Sequence, residues 1–298
     1  MSDMQATNPE TAMRAEEPET GDPVAAVLTP MERVRLARDT HRPHTLDYIK
    51  ELFTDFIELH GDRSFGDDRA LIGGVASFRG RSVMILGHQP GTNTHENIER
   101  NFGMPRPEGY RKARRLMEHA EKFGFPLITF IDTPAADPGV GSEERGQGTA
   151  IAESLLAMIG LRVPIVCVVI GQGGSGGALA ISIGDRLLML ENAIYAVAPP
   201  EACAAILWKD ASKAEEAAAT MRITASDIAG FGIIDEVIAE PVPAHEAPRE
   251  TIRAVGDRIA THLDDLIAGL GEGDQAAVDA MLTARYERFR GIGVWHEV

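Results

Sequence analysis

Two stretches of the chain hold glycines where main-chain N–H groups could be brought against a ligand. One runs from Asp132 to Gln147 and reads DTPAADPGVGSEERGQ; the other runs from Gly171 to Gly177 and reads GQGGSGG. Each follows an apolar run and precedes a helical pattern, and the first N–H groups of a helix have no partner inside it, so they can meet an anion. Glycine adds close approach of the backbone and access to positive φ. Paired loops of this kind suit an oxyanion hole, in which fixed N–H donors surround a carbonyl oxygen as it gains negative charge, each worth roughly 3–4 kcal/mol in the transition state. Tight strand-to-helix turns account for glycine in either loop alone. Their recurrence at equivalent places in successive βα units is what favours a ligand.

Other chemistries fit less well. A phosphate-binding P-loop needs Lys followed by Ser or Thr after its last glycine, and Ala178-Leu179 stand there. No acidic residue closes a second strand at the distance a dinucleotide fingerprint requires. Ser175, in a glycine-rich turn, has the setting of a nucleophile, but a nucleophile needs a general base. His41, His44, His60, His88, His95 and His119 all precede it, none in a setting that marks a base, so Ser175 is read as the N-cap of the following helix. The run from His88 to His95 reads as a surface loop. Arg111, Lys112, Arg114 and Arg115 read as a solvated helix face, and Glu143, Glu144 and Arg145 as an ion-paired first turn. Cys167 and Cys203 form no CxxC pair and read as buried thiols rather than zinc or redox ligands.

Such loops need a scaffold, and 298 residues with 44% hydrophobic content can bury a sizeable core. No apolar run nears the roughly 18 residues of a membrane span, and the N-terminus lacks a basic-then-apolar leader, so a soluble cytoplasmic protein is expected. A formal net charge of −16 repels nucleic acid and anionic membrane alike. Residues 1–28, rich in Glu, Pro, Thr and Ala, predict a disordered tail. A helical region over 29–70 follows. One helix begins near Pro30; a second is capped by Thr45 and carries Leu46, Ile49, Leu52, Phe53, Phe56 and Ile57 on one face.

The apolar runs 71–78 and 82–87 around Arg79-Gly80 predict a hairpin. Beyond it, helices over 110–123, 143–159 and 175–183 alternate with strands over 127–131 and 165–170, with short strands at 186–190 and 194–197. Wholly apolar strands alternating with helices predict parallel β-structure in an α/β fold. After helices ending near Trp208 and Met221, Thr224 caps a short helix ended by Gly230, before a strand over 233–238. Past a Pro-rich link at 241–248, amphipathic helices make 244–298 a helical assembly region.

The chain resembles the carboxyltransferase α-subunit family of acetyl-CoA carboxylase, within the crotonase-like superfamily. The segments that carry the resemblance are TLDYI at 45–49, FIELHGDRSFG at 56–66, NFGMP at 101–105, PEGYRKA at 107–113 and FIDTP at 130–134. PGVGSEERGQ at 138–147, the GQGGSGGALAI run ending at Ile181 and AILWK at 205–209 continue it, over roughly residues 30–243. The resemblance implies an α/β crotonase-like ββα superhelix over 71–243 with peripheral N- and C-terminal helices. It also implies a partner β subunit bearing a zinc ribbon, no metal in this chain, an α2β2 assembly and an active site at the α/β boundary. The substrates would be acetyl-CoA and carboxybiotin displayed on a biotin carboxyl carrier protein, and the product malonyl-CoA for fatty-acid biosynthesis.

Because the carboxylated cofactor can itself supply the base, such a reaction asks the protein for positioning and for stabilisation of two enolate oxygens. Carried over residue by residue, the resemblance makes the N–H groups of Gly139 and Val140 the oxyanion donors. It gives the substrate and biotin wall to Gly173, Gly174, Ser175, Gly176, Gly177 and Asp137. The chain departs from the family pattern at Ala135-Ala136-Asp137, where Gly-Ala-Tyr is usual, at Pro90 and Thr92, often basic, and at Gln172, usually Glu. Two readings compete: a Clp-like serine peptidase, marked by a histidine beside Ser175, and a scaffold subunit without catalysis, supported only by the Ala135-Ala136-Asp137 change.

Overall fold

Local chemistry starts the first element. The Thr29 hydroxyl accepts from the Glu32 N–H, the Glu32 carboxylate accepts from the Thr29 N–H, and Pro30 occupies the first turn of α1 (Pro30–Ala37), where no N–H is needed. The computed structural model describes residues 28–271 and 274–293, so the tail expected over 1–28 lies, apart from Leu28, outside the described residues. Helix α2 (Thr45–Leu52) is preceded by His44 as its N-cap, and not by Thr45, whose hydroxyl donates to His88 O at 2.5 Å. Phe53 turns extended (φ −121°) and the chain enters strand β1 (Thr54–Glu58). Phe56 and Ile57, expected on the helical face, therefore sit on a sheet edge, because pairing with the next strand overrides the 3.6-residue spacing.

Strands β2 (Leu71–Phe78) and β3 (Arg81–His88) form the predicted hairpin, with Arg79 and Gly80 both at positive φ (50° and 82°), the turn whose twist matches the strands. Helix α3 (Thr94–Glu99) and helix α4 (Pro107–Phe123) follow, the latter stopped by left-handed Gly124. Strand β4 (Leu127–Thr133) leads to α5 (Val140–Glu144) and α6 (Gln147–Gly160), two helices parted at Gly146 (φ 82°) where one was expected. Strand β5 (Ile165–Gly174), short α7 (Ser175–Leu179), β6 (Arg186–Leu190) and β7 (Ile194–Ala196) come next. Then come α8 (Pro200–Trp208), α9 (Ala214–Met221), α10 (Ala225–Gly230), β8 (Glu236–Ile238), α11 (Pro248–Leu270) and α12 (Gln275–Arg290).

Among the described residues the strands make one eight-stranded sheet in the order β1-β2-β3-β4-β5-β6-β8, with β7 paired to the far end of β5. The β1-β2-β3 edge is antiparallel and the rest parallel. Every residue of β4 is buried, as a central strand covered on both faces should be. Tyr48 stacks on Phe130 at 5.1 Å, and Phe53 meets the same ring edge-on at 6.3 Å.

Ile252, Val255, Ile259 and Leu263 of α11 belong to the same core as the sheet, and a Cβ on Gly256 would lie 2.6 Å from the Leu52 side chain, so that leucine of α2 packs directly on the backbone of α11. Helix α12 is pinned by Arg285, 1% exposed, which pairs with Asp185 and donates to the carbonyls of Met158, Leu161 and Val163 at the end of α6. Cys167 is buried, and burial pushes its thiol up to about 12; Cys203 is only half-buried, short of the expectation.

Candidate active site

The C-terminal ends of β4 and β5 bring the two glycine stretches together. A Cβ on Gly174 would collide with the carbonyl oxygen of Pro134, one on Gly173 with the Tyr195 ring, and one on Gly177 would lie 2.6 Å from Ala136 N. The second stretch needs glycine for this approach and not for positive φ: Gly171, Gly173, Gly174, Gly176 and Gly177 all stay out of the left-handed region. Gly171–Gly174 is also no loop. It continues β5, with Gly173 in register with Thr133 on one side and Tyr195 on the other, because β4 and β7 both offer ladder partners there. Gly176 has open space, its nearest neighbours being Ile151 atoms at 3.8 Å.

Ser175 is the one left-handed residue of the stretch (φ 55°), a conformation that costs a non-glycine about 1–2 kcal/mol. It is the first residue of α7 after the cap Gly174, which corrects the N-cap expectation.

The first stretch leaves its glycines open. Gly139, at φ −67°, is the N-cap of α5, and Val140 is 74% exposed. Asp137 sits beside them with its side chain 16% exposed, accepting from the Ser142 hydroxyl at 2.5 Å, with Arg106 Nε 3.9 Å away. Burial pushes its carboxyl up, but the Ser142 hydroxyl, the Asn101 amide, Arg106 and the Gly139 N–H together hold it below the usual carboxylate range. A negative charge thus lies next to one of the proposed donors. Gln147 fastens the loop from behind, donating to Pro105 O and Asp137 O.

Arg145 pairs across to Glu108 on α4, so the ion-paired turn within 143–145 does not form. Nor is the basic run on α4 a solvated face. Lys112 is 1% exposed and donates to Asp67 and to Asp68 O, and Arg111 reaches Asp62, Glu108 and Arg145 O. Those cations hold the 61–68 loop and the α6 entry in place.

Behind the loops lies a cluster that sequence reasoning passed over. Asp132 Oδ2 accepts from His44 Nδ1 at 2.8 Å, its Oδ1 accepts from Gln172 N–H at 3.0 Å, and its own N–H points to His88 Nδ1 at 3.4 Å. His88 and Gln89, expected in a surface loop, are buried. Burial pushes the His88 imidazole down to about 4. Burial also disfavours a charged His44, but the hydrogen bond and charge of Asp132 outweigh it and the net shift is upward. A carboxylate closing a wholly apolar strand was the available signal, since a buried charge requires a partner. Arg42 stands alongside, ion-paired to Glu240 and donating to Ile170 O. On the other side, Arg38 pairs with Glu201 and donates to Gln172 Oε1 at the mouth of a narrow cleft floored by Pro134, Gly173, Gly174 and Ala196. Among the described residues no group of three or more His, Cys, Asp or Glu side chains is placed to hold a metal, and no helix is long and apolar enough to cross a membrane.

Comparison with known proteins fits this geometry. Transcarboxylase 12S, in a structure with hydrolysed methylmalonyl-coenzyme A bound, superposes with TM-score 0.63 at 22% identity, covering 79% of this chain and 45% of that one. The Pseudomonas malonate decarboxylase hetero-tetramer with coenzyme A superposes at 0.58 and 20% identity, covering 76% and 92%. These likenesses show the crotonase-like α/β fold. The acetyl-coenzyme A carboxylase carboxyl transferase subunit alpha of Geobacillus thermodenitrificans is 54% identical over 271 residues, 91% of this chain and 81% of the relative. Its counterpart in Shouchella clausii is 52% identical over 291 residues, 98% and 88%. The family model described as acetyl co-enzyme A carboxylase carboxyltransferase-like matches residues 2–293, and the chain belongs to that family.

Proposed function

We propose that this chain is the α half of a carboxyltransferase that moves the carboxyl group of carboxybiotin, borne on a separate carrier protein, to acetyl-CoA, giving malonyl-CoA for fatty-acid synthesis. The observation that carries the reading is the apposition of the loop after β4 to the glycine-rich end of β5, Pro134 O seated on Gly174, with Gly139 and Val140 exposed beside them. Both buried histidines behind the loops bond to Asp132, and neither to Ser175, which removes the mark of a serine peptidase.

The cleft between Pro134, Gly173, Gly174 and Ala196 is narrow and is bordered by the side chains of Arg38, Gln172 and Ile194. Carboxybiotin supplies the carboxyl group and the base when bound. The chain's own task is then to orient the thioester and to stabilise charge on its oxygen. The N–H groups of Gly139 and Val140 are the donors, Gly173, Gly174, Gly176 and Gly177 with Ser175 form the wall, and Asp137 borders the biotin side. Val140, Val197, Ile206 and Leu207 leave apolar side chains exposed on the bordering elements, a surface for a β subunit that bears the zinc ribbon and completes an α2β2 assembly. On this division of the chain, 71–243 is the catalytic core and the helices beyond 244 serve assembly.

The test uses the α and β chains co-expressed, with carboxylated carrier and acetyl-CoA. Proline fits the φ of Gly139 and the first helical position at Val140, so Val140→Pro deletes one N–H, while Gly139→Pro deletes one N–H and with it the bond to the Asp137 carboxylate. Each variant is expected to lose about 10²–10³-fold in kcat. Full transfer by both variants, or malonyl-CoA formation by the isolated chain, would overturn the shared oxyanion site.

A further inference from the structure

We propose that Asp132, braced by His44, is the positioning residue that sets the distance between the loop after β4 and the glycine-rich end of β5, so that the donors of the first and the glycine wall of the second meet the substrate together. The inference rests on the carboxyltransferase reading and adds a component that does not touch substrate.

Asp132 is 4% exposed and His44 5% exposed, so neither meets the cleft. What Asp132 does is replace a rung of the ladder. Strands β4 and β5 run in register to Ile131↔Val169, and the next pair is Thr133↔Gly173: β4 advances two residues while β5 advances four. In that gap the Asp132 carboxylate takes the Gln172 N–H on one oxygen and His44 Nδ1 on the other. Immediately afterwards Pro134 O rests on Gly174. The side chain that closes the gap therefore lies two residues before the point where the loops touch.

Gly171 supports this, since a Cβ there would run into Asp132 Oδ1. The brace is itself anchored: His44 caps α2, its N–H held by Asp47 at 2.9 Å, and Arg42 two residues earlier grips Ile170 O, next to Gly171. The N-terminal helical segment thus reaches the root of both loops through two side chains. It does so from 88 residues away in sequence in the case of His44.

Two readouts on the assembled α/β enzyme separate positioning from general stability. Asp132→Ala should lower kcat about 100-fold, as a displacement near 1 Å does, with KM for acetyl-CoA changed less than about 3-fold. Asp132→Asn keeps an acceptor for the Gln172 N–H and should recover to within about 5-fold of wild type. His44→Gln should fall between the two. Hydrogen exchange, which needs no turnover, should accelerate at Gln172–Gly174 and at Ala135–Asp137 in Asp132→Ala while the β2-β3 hairpin keeps its protection.

Unchanged kcat in Asp132→Ala, or unchanged exchange at those amides, overturns the proposal. So does an equal fall of kcat, affinity and exchange protection everywhere, with Asn no better than Ala. A wild-type pair without transfer activity would sink the carboxyltransferase reading instead, and the exchange data would still judge the positioning role. Should Asp132→Ala fail to fold, His44→Gln carries the same readouts.

Discussion

The two glycine stretches look alike as strings of residues and differ in what glycine does in them. In the second, Gly171, Gly173, Gly174 and Gly177 are each pressed against a neighbour: a carboxylate, an aromatic ring, a carbonyl, an amide nitrogen. None needs positive φ. In the first, a Cβ on Gly139 or Gly141 would come no nearer than 3.2 Å to the flexible tip of Asp137 or Arg145, and one on Gly146 would meet only Thr149 at 3.8 Å. One set of glycines holds the loops together; the other leaves space. A surface that leaves backbone N–H groups uncovered is what a developing oxyanion needs, and a tightly packed neighbour is what keeps those groups in place.

The largest break in this contrast should come at Gly174. Gly174→Ala forces a methyl group into Pro134 O, so the loops must separate, at a cost of about 3 kcal/mol or more by analogy with severe overpacking. Transfer activity should fall more than about 100-fold with it. Gly176→Ala, two residues on and inside α7, meets only ordinary contact at 3.8 Å and should leave stability within about 1 kcal/mol, tilted toward gain because alanine favours helix. Urea unfolding of both variants, alongside malonyl-CoA formation, measures the difference. Equal behaviour of the two would show that loop contact is not what the glycines secure.

The contrast continues in pH dependence, which belongs to the root of the loops and not to the glycines. His88 titrates near 4 in the folded chain against 6.5 unfolded. Its folded value is depressed, so the stability it contributes is complete above pH 6.5 and is lost as pH falls toward 4, about 3 kcal/mol over that 2.5-unit window. His44 has the opposite sign. Its folded value is raised, so its contribution is complete below pH 6.5 and fades as pH rises through the folded value. Comparing wild type with His88→Gln at pH 4.5 and pH 7 cancels the carboxylates common to both. The wild type should lose the greater stability on acidification, and a constant difference between the two proteins would contradict a neutral buried His88.

Much of the scaffold was legible because its signals are local. The Arg79-Gly80 hairpin, the helix start near Pro30, the capped start at Thr224, and the apolar runs of β4 and β5 each declare themselves within about ten residues. The failures share a cause. Phe56 and Ile57 fit a helical face, and only the presence of β2 alongside makes them a strand. Lys112 and Arg111 look solvated until the 61–68 loop folds over them. Gly171–Gly174 reads as a loop because nothing nearby reveals that β7, twenty residues on, will pair with it. Asp132, His44 and His88 come from three separate elements, so no spacing rule joins them. The two loops were legible as places of interest, and their relation to one another was not.

The smallest effect should sharpen the contrast at its most exposed point. Asp137 places a carboxylate beside the Gly139 N–H, where a growing oxyanion would compete for the same donor. Asp137→Asn retains an acceptor for the Ser142 hydroxyl and removes the charge. At roughly 4–6 Å in a partly solvated site, with effective dielectric near 20 or above, loss of that repulsion is worth at most a few kcal/mol and, after screening, nearer 1 kcal/mol. A rise in kcat of about 3–5-fold follows, largest at low ionic strength and shrinking as salt shortens the Debye length below about 10 Å. The salt trend separates electrostatics from packing: a gain in Asp137→Asn that ignores ionic strength would mean that the loop had moved, and a loss would mean that the Asp137 carboxylate itself takes part in holding substrate.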